Sequence, residues 1–290
     1  MKFLLTGGSG FIGKHLFAEL TNFGHKVCLL KSNISDMQAL QLEIENTNFD
    51  IVIHLAGLSH VANHSPSLLY ETNVIGSQNV ISAIEKVFNK KKIFLASTCH
   101  VYANTKNHIA ETSPVSPKSH YAASKLAMEF MCGNTARKNE IVSLRLFNCI
   151  GTGQKESFLI PKVIRAHLKK EPIIHLGNLE IKREFNDVRW AAGIIRSLAE
   201  INVPPGDYNI CSGEAYKASE ILKIISKKTK HFPKILTGIN LLRPNEQDII
   251  VGDPTKTTRI LNRNGVYLNN FTIHETLDHM INQYQTLSNV

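Results

Sequence analysis

Cysteine is scarce in this 290-residue sequence, and the cysteines present form no recognisable pattern. The chain has five of them, which is an odd number, and no two have the spacing of a metal-binding pair. Scattered thiols of this kind are typical of a reducing compartment. We therefore expect a cytoplasmic protein without disulfide bonds and without a bound metal.

Long hydrophobic runs are also missing. No apolar stretch approaches the ~20 residues that a membrane-spanning helix needs. The apolar residues Met1 to Leu5 lead directly into a glycine-rich segment. They predict a buried strand, because a signal peptide would need a longer apolar stretch and a cleavage site. We expect no membrane association.

Acidic residues are outnumbered, since 24 Asp and Glu face 33 Lys and Arg for a net charge of +9. Positive potential raises the local concentration of anionic ligands. The lysine runs Lys90 to Lys92 and Lys227 to Lys228 are short, and no zinc-finger or RNA-binding signature surrounds them. The charge therefore favours a diphosphate ligand, and no nucleic-acid partner is expected.

Short apolar strands alternate with helical segments in the first half of the chain. The predicted strands are Lys2 to Leu5, Val27 to Leu30, Asp50 to Leu55, Ile93 to Ala96 and Ile141 to Leu146. This alternation predicts an α/β fold with a Rossmann-type, doubly wound parallel sheet. Prolines become frequent after about residue 150. We expect a first domain at 1–150 and a smaller C-terminal substrate lobe at 151–290, some segments of which return to the first domain.

Three glycines follow the first predicted strand and open the first predicted helix. Glycine at Gly7, Gly10 and Gly13 permits a tight turn, close approach of a pyrophosphate and packing of helix on strand. The helix N-terminus, at Phe11 and Ile12, would offer N–H groups and a partial positive charge to the phosphates. The first domain is therefore predicted to bind a dinucleotide.

The residues after the second strand bear on which dinucleotide is bound. NAD enzymes of this fold usually place Asp or Glu there, about 20 residues past the glycine loop, to bind the ribose 2′-hydroxyl. This chain has Lys31 and Ser32 instead. A cation and a hydroxyl suit a 2′-phosphate. We predict NADP(H), with NAD(H) as the alternative if Lys31 is an ordinary surface lysine.

A tyrosine and a lysine stand four residues apart in a helical segment, at Tyr121 and Lys125. On a helix they share one face. A free phenol has a pKa near ~10, and a nearby cation together with an oxidised nicotinamide ring would favour its ionised form. Ser97 and Thr98 end a predicted strand, where ligands of such sheets bind. The set predicts proton transfer to or from a substrate oxygen while the dinucleotide moves hydride.

These motifs resemble those of the extended short-chain dehydrogenases that modify nucleotide sugars. Similar segments in the first half are Thr6 to Gly13, Asp50 to Gly57, Glu71 to Gly76, Ser97 and Thr98 with Val101 and Tyr102, Tyr121 to Lys125, and Leu144 to Asn148. In the second half they are Leu176 to Phe185, Asn186 to Val188, Asp207 to Gly213 and Leu242 to Lys256. These look like the branch of GDP-mannose 4,6-dehydratase and GDP-4-dehydro-6-deoxy-D-mannose reductase.

The resemblance implies roles for particular residues. The catalytic residues would be Thr98, Tyr121 and Lys125. The dinucleotide would be contacted by Gly7, Gly10, Phe11, Ile12, Gly13, Lys31, Ser32, Leu55, Ala56, Gly57, Tyr121 and Lys125. The nucleotide diphosphate of the substrate would be contacted by Asn148, Arg183 and Arg243. The resemblance also implies a homodimer, paired through the helices that contain Tyr121 and Leu68 to Phe88.

One departure from the family pattern bears on the reaction. Dehydratases of this group carry an acid just after the strand hydroxyl, whereas this chain has Cys99 and His100. We therefore expect NADPH-dependent reduction of a nucleotide-linked 4-keto-6-deoxy sugar rather than dehydration. Two alternatives stay open. One is a nucleotide-sugar 4-epimerase with tightly bound NAD, and the other is a dinucleotide-sensing protein without turnover.

Overall fold

A six-stranded parallel sheet forms the centre of the fold, and from one edge to the other its strands are Gly206–Ile210, Glu140–Leu146, Lys92–Thr98, Ile51–His54, Lys2–Thr6 and Lys26–Leu29. The computed structural model describes residues 1–59, 64–135, 139–238 and 247–288. The strands are β1 Lys2–Thr6, β2 Lys26–Leu29, β3 Ile51–His54, β4 Lys92–Thr98, β5 Glu140–Leu146 and β10 Gly206–Ile210. All five strands predicted from the first half lie in this sheet. The predicted Rossmann-type, doubly wound architecture is confirmed.

Helices cover both faces of the sheet, because successive strand residues point to opposite sides. Phe3 and Leu5 pack with Leu16 and Leu20 of one helix layer, whereas Leu4 packs on the opposite face. The helices are α1 Phe11–Asn22, α2 Met37–Glu45, α3 Pro66–Tyr70, α4 Ser77–Val87, α5 His120–Thr135 and α7 Val188–Glu200. The segment between α3 and α4, Glu71–Gly76, is π-helical.

Three segments from the second half of the chain join this first layer, one of them through Leu261 in the helix Thr255–Arg263. The strand β10 pairs with β5, and the apolar side chains of α7 belong to the same core cluster as Phe3 and Leu5. Arg196 of α7 donates to Glu19 of α1 at 2.9 Å. The sheet is therefore complete only when the later segments have returned to it.

Another part of the second half forms a separate core beside the sheet. Helices α6 Leu159–Leu168, α8 Ala218–Thr229 and α10 Ile273–Ser288 pack together there. The remaining elements are β6 Cys149–Ile150, β7 Ile173–Leu176, β8 Lys182–Glu184, β9 Asn186–Asp187, β11 Ala215–Lys217, β12 Lys234–Thr237, β13 Ile249–Ile250 and α9 Thr255–Arg263. They pair as β11-β8-β13, β12-β7 and β6-β9. Ile250 of β13 shares a buried cluster with Cys99 and Phe147, which directly follow β4 and β5, so this strand lies next to the ends of those two.

A buried ionic network ties β5 to its neighbours. Arg145 donates to both carboxylate oxygens of Glu129, at 3.1 and 2.8 Å, and to the hydroxyl of Tyr102 at 3.1 Å. Its guanidinium also lies 2.7 Å from a carboxylate oxygen of Asp207. Arg145 and Glu129 are both buried. The network therefore joins α5, β5, β10 and the turn after β4 around one guanidinium.

Two features, a membrane-spanning helix and a metal site, are not found in the part of the chain that the structure describes. No described helix is long and apolar enough to cross a membrane. No group of three or more His, Cys, Asp or Glu side chains among the described residues could hold a metal ion.

Candidate active site

The glycine loop is a tight turn in which two positions cannot carry a side chain. Gly7 has a φ of +68°, and a Cβ at this position would lie 2.6 Å from the backbone nitrogen of Ala56. A Cβ on Gly13 would lie 2.1 Å from the carbonyl oxygen of Gly7. Side chains at these two positions would collide with backbone. The loop therefore stays tight enough for α1 to start directly beside the end of β1.

The N-terminus of α1 lies at this loop, and its cap is a residue without a side chain. Gly10 is the N-cap, in an extended conformation, and Phe11 and Ile12 form the first turn. The first amides of an α-helix lack intrahelical partners, and the helix dipole adds partial positive charge at the same end. A glycine cap leaves these amides to an anion. The residues present therefore fit the pyrophosphate of a dinucleotide.

The segment after β3 borders the same loop. Thr6 at the end of β1 accepts at its carbonyl from Leu55, at 3.2 Å, and at its hydroxyl from the backbone of Ala56, at 3.1 Å. A Cβ on Gly57 would lie 3.1 Å from Nζ of Lys125. Thus Leu55, Ala56 and Gly57 join the glycine loop to the predicted catalytic lysine.

The three predicted catalytic residues lie on two neighbouring elements. Thr98 ends β4, and Tyr121 and Lys125 lie in the first two turns of α5. The Nζ of Lys125 is buried and donates to the carbonyl of Ala96 at 2.8 Å. The ring of His100 meets the ring of Tyr121 edge-on, with centroids 6.5 Å apart. A phenol, a hydroxyl and an ammonium are therefore grouped at the carboxyl end of the sheet.

Burial sets the protonation of these groups. It raises the pKa of Tyr121 to about 12, although a hydrogen bond with Thr98 lowers it. Burial also lowers the pKa of Lys125 to about 8. Tyr121 is thus a neutral phenol at neutral pH in the protein alone, which is the form that can donate a proton.

An asparagine in the π-helical segment, which was not predicted from the sequence, supports this group. Asn73 is buried; it accepts from the backbone N–H of Leu58 at 2.8 Å and donates to the hydroxyl of Ser124 at 3.0 Å. Ser124 in turn donates to the carbonyl of Tyr121 at 2.8 Å. The available signal was its place in Glu71 to Gly76, one of the segments that carry the family resemblance. Asn73 therefore fixes the turn of α5 that carries Tyr121.

A buried histidine lies behind the lysine. His54 ends β3 and bonds through its two ring nitrogens to Thr6, at 2.7 Å, and Ser77, at 2.9 Å. Burial, together with the charge of Lys125, lowers the pKa of His54 from its ordinary value of 6.5 to about 3. His54 is therefore neutral in the folded protein over most of the acid range.

The depressed pKa of His54 predicts a loss of stability in acid. The unfolded chain takes up a proton near pH 6.5 and the folded chain only near pH 3. The stabilisation is complete above pH 6.5 and is lost as the pH falls towards 3. Between pH 7 and 4 the free energy of unfolding should fall by about 3 kcal/mol from this residue alone. Urea unfolding at both pH values should show a smaller fall in His54→Gln; an equal fall in the two proteins would contradict the assignment.

The predicted contacts to the substrate diphosphate lie in three different settings. The carbonyl of Asn148 accepts from the backbone of Asn186 at 2.9 Å, at the junction of β6 and β9. Arg183 is buried in β8, and its guanidinium donates to the carbonyls of Lys182 and Gln247. Arg243 lies outside the described residues. The roles of all three residues as substrate contacts stay predictions.

The carboxylate of Glu184, in the second lobe, lies near the end of β4, and it was not predicted from the sequence. Burial raises the pKa of the Cys99 thiol, and Glu184 is close enough to raise it further. Glu184 accepts from the backbone N–H groups of Gly252, at 2.6 Å, and Ser212, at 2.8 Å, and from the amide of Asn186 at 2.9 Å. Its oxygens are thus engaged in holding β8 to the loops around it.

Lys31 and Ser32 come shortly after the end of β2 at Leu29, whose side chain lies against the glycine loop at Gly8. The backbone N–H groups of both residues donate to the carboxylate of Glu43 in α2. Glu43 could not be predicted from the sequence, because a glutamate on a polar helix face carries no distinguishing pattern. Ser32 also donates from its hydroxyl to the carbonyl of Ala39 at 3.2 Å.

Comparison with protein families and curated proteins gives consistent matches. The model of the NAD dependent epimerase/dehydratase family matches residues 3–211. The chain is 32% identical to a GDP-6-deoxy-D-talose 4-dehydrogenase of Aggregatibacter actinomycetemcomitans, over 90% of this chain and 91% of that protein. It is 30% identical to a GDP-6-deoxy-D-mannose reductase of Pseudomonas aeruginosa, over 78% and 79%. A UDP-glucose 4-epimerase of Oryza sativa subsp. japonica is 27% identical, over 89% and 76%.

Solved structures show the same architecture. RMD from Pseudomonas aeruginosa, complexed with NADPH, superposes with a TM-score of 0.87 at 26% identity, and 99% of each chain is covered. The UDP-glucose 4-epimerase of Thermus thermophilus, in complex with NAD, superposes with a TM-score of 0.85 at 22% identity, over 98% of this chain and 99% of that one. Structures with this fold thus contain either dinucleotide.

Proposed function

This chain belongs to the NAD dependent epimerase/dehydratase family, and from that starting point we propose that it reduces a nucleotide-linked 4-keto-6-deoxy sugar with NAD(P)H. The family comprises NAD(P)-dependent enzymes of the short-chain dehydrogenase type. The proposed substrate is of the GDP-4-dehydro-6-deoxy-mannose type, and the product is the corresponding deoxysugar nucleotide. The reaction adds hydride at C4 of the sugar and a proton at the C4 oxygen.

The observation that carries the proposal is the pairing of a neutral phenol with a strand-end hydroxyl. Burial raises the pKa of Tyr121, so that the phenol holds its proton at neutral pH. Reduction of a ketone needs such a donor at the oxygen that develops negative charge. Dehydration would need a further acid or base at the sugar. The residues after Thr98 are Cys99, whose thiol pKa is raised by burial, and His100.

The chain's own groups would act as follows. Tyr121 would donate its phenolic proton to the C4 oxygen, and Thr98 would hydrogen-bond the same oxygen. Lys125, held by the carbonyl of Ala96, would bind the hydroxyls of the nicotinamide ribose and stabilise ionised Tyr121 after transfer. The dinucleotide, held at the glycine loop, would supply the hydride. Proton and hydride are thus delivered from different groups to the two ends of one carbonyl.

The second lobe is proposed to bind the nucleotide diphosphate. Asn148, Arg183 and Arg243 are the proposed contacts, and a guanidinium fork suits phosphate oxygens. Guanine as the base is supported by the names of two relatives, the GDP-6-deoxy-D-talose 4-dehydrogenase and the GDP-6-deoxy-D-mannose reductase. We also propose a cytoplasmic homodimer.

The 4-epimerase alternative draws on one specific observation, the similarity to UDP-glucose 4-epimerases. An epimerase would use the same tyrosine and lysine but would retain its dinucleotide through each cycle. The two functions therefore predict different amounts of bound dinucleotide in the purified protein. An epimerase would carry tightly bound NAD, whereas a reductase would exchange free dinucleotide.

A substrate comparison tests the proposal directly. We expect loss of absorbance from NADPH or NADH on addition of GDP-4-keto-6-deoxy-mannose, and a stoichiometric deoxysugar nucleotide as product. UDP-glucose should give no net oxidation of either dinucleotide. Interconversion of UDP-glucose and UDP-galactose by protein with bound NAD, without oxidation of added NAD(P)H by the keto sugar, would instead establish the epimerase.

A further inference from the structure

The loop that follows β2 is closed by a carboxylate from the next helix. One oxygen of Glu43 accepts from the backbone N–H of Lys31 at 2.9 Å, and the other accepts from the N–H of Ser32 at 2.7 Å. Burial by itself would raise the pKa of Glu43, but the Ser32 hydroxyl, these two bonds and the charge of Lys31 together lower it. A negative charge is thus fixed at the end of β2.

This carboxylate lies where the adenosine ribose of a dinucleotide is recognised. Strands β1 and β2 are neighbours, with Leu5 opposite Leu29. A Cβ on Gly8 would lie 2.5 Å from a methyl carbon of Leu29, so the glycine loop touches the end of β2. In sheets of this type the residues at the end of the second strand contact the ribose 2′ position. Lys31 and Ser32 occupy that position here.

The loop is held from its other side as well. Asn79 in α4 donates to the carbonyl of Ile34 at 3.0 Å. The side chain of Ile34 is buried, and it lies 2.7 Å from the place that a Cβ on Gly76 would take. The loop is therefore attached to α2 through Glu43 and to the π-helical segment and α4 through Ile34. It presents its backbone donors in a fixed arrangement.

The two dinucleotides differ at this point in charge. A 2′-hydroxyl can donate a hydrogen bond to a carboxylate. A 2′-phosphate carries about −1.5 to −2 charges at neutral pH and needs donors, not an acceptor. The donors that would suit it, the N–H groups of Lys31 and Ser32, are bound to Glu43. A phosphate at this position would have to displace the carboxylate or lie beside it.

We propose that Glu43 is a specificity-determining residue, which weakens binding of the 2′-phosphorylated dinucleotide relative to NAD(H). The acid that NAD-binding sheets usually carry at the end of the second strand is supplied here from α2. Lys31 acts in the opposite direction, because its charge attracts a phosphate, and Glu43 partly neutralises it. The inference rests on dinucleotide use by this family and not on the identity of the sugar.

Calorimetric titration of the full-length protein with NAD⁺ and NADP⁺ tests this role. The variants Glu43→Gln and Glu43→Ala both remove the charge, and the first keeps an oxygen that can accept from the loop. Each should lower the ratio of the Kd for NADP⁺ to the Kd for NAD⁺ by about tenfold or more, since like charges placed together discriminate at least this strongly. Glu45→Gln is the matched control, because Glu45 is an exposed residue of the same helix whose carboxylate accepts from Gln41 at 2.8 Å.

The result that would overturn the proposal is an unchanged ratio in both Glu43 variants, or the same change in Glu45→Gln. Retained NAD⁺ binding and an unchanged thermal unfolding midpoint would show that the variants are folded. Because no sugar nucleotide enters this experiment, its failure leaves the proposed keto-sugar reduction untouched. Failure of the reductase assay would likewise leave the ratio of the two Kd values intact.

Discussion

Replacement of Tyr121 by phenylalanine is expected to lower turnover of the keto-sugar nucleotide by about 10²- to 10⁴-fold, the usual contribution of a positioned proton donor. The change removes one hydroxyl and keeps the ring. Thr98 and Lys125 stay in place, since Lys125 is held by the carbonyl of Ala96 rather than by Tyr121. The effect should therefore appear in kcat, and the affinity for dinucleotide should be nearly unchanged. Steady-state rates and dinucleotide titration of the variant measure both.

A second tyrosine provides the matched control. Tyr70 lies at the end of α3, and its hydroxyl is 3.4 Å from a ring nitrogen of His120, the first residue of α5. Tyr70→Phe removes a hydroxyl beside the same helix without touching the proposed donor, so turnover should be unchanged. Wild-type turnover in Tyr121→Phe would show that another group protonates the sugar oxygen, and His100 would be the first residue to test.

The largest expected effect on stability concerns the ionic network around β5. Arg145→Met should lower the free energy of unfolding by about 3–5 kcal/mol, because it leaves the buried carboxylate of Glu129 without its partner. It also removes the hydrogen bond to Tyr102 and the ion pair with Asp207. Urea unfolding, followed by circular dichroism, gives the change.

Two further variants test the cause of this loss of stability. They show whether it comes from the unpaired buried carboxylate of Glu129 or from the removal of any arginine. The double variant Arg145→Met with Glu129→Leu should recover most of the stability, because an apolar pair can replace a buried ion pair. Arg165→Met breaks an exposed ion pair with Glu156, and it should cost about 1 kcal/mol or less. If Arg145→Met were no more destabilising than Arg165→Met, the network would hold little of the fold together.

The parts of this protein that could be predicted from sequence are those in which backbone geometry restricts residue type. Gly7 needs a positive φ and Gly13 cannot carry a Cβ, so the glycine spacing predicts the loop. Strand β4 is buried along its whole length, and its central residues, Ile93 to Ala96, are an apolar run. The spacing of Tyr121 and Lys125 depends only on the helical repeat. These constraints are local, and each one is visible within a short stretch of sequence.

The contacts that could not be predicted join residues that are distant in sequence and chemically ordinary. Glu43 meets the loop after β2, and Glu184 meets Gly252 and Ser212, yet no spacing of residues in the sequence pairs either glutamate with these partners. Their partners are mainly backbone N–H groups, which every residue except proline has. The sequence therefore contains no pairing signal, and only the fold shows which groups these glutamates meet.

The π-helical segment Glu71–Gly76 has a consequence for how this region tolerates changes in chain length. A π-turn holds one residue more than an α-turn, so α3 and α4 are out of phase by about 100° relative to a continuous α-helix. That offset allows Val80 and Ile84 to face the sheet while Asn73 faces Leu58 and Ser124. Deletion of one residue here would restore a regular α-helical repeat. Val80 and Ile84 could then no longer face the sheet while Asn73 keeps its hydrogen bonds. Deletion of one residue in this helical region should therefore be more destabilising than most substitutions along it.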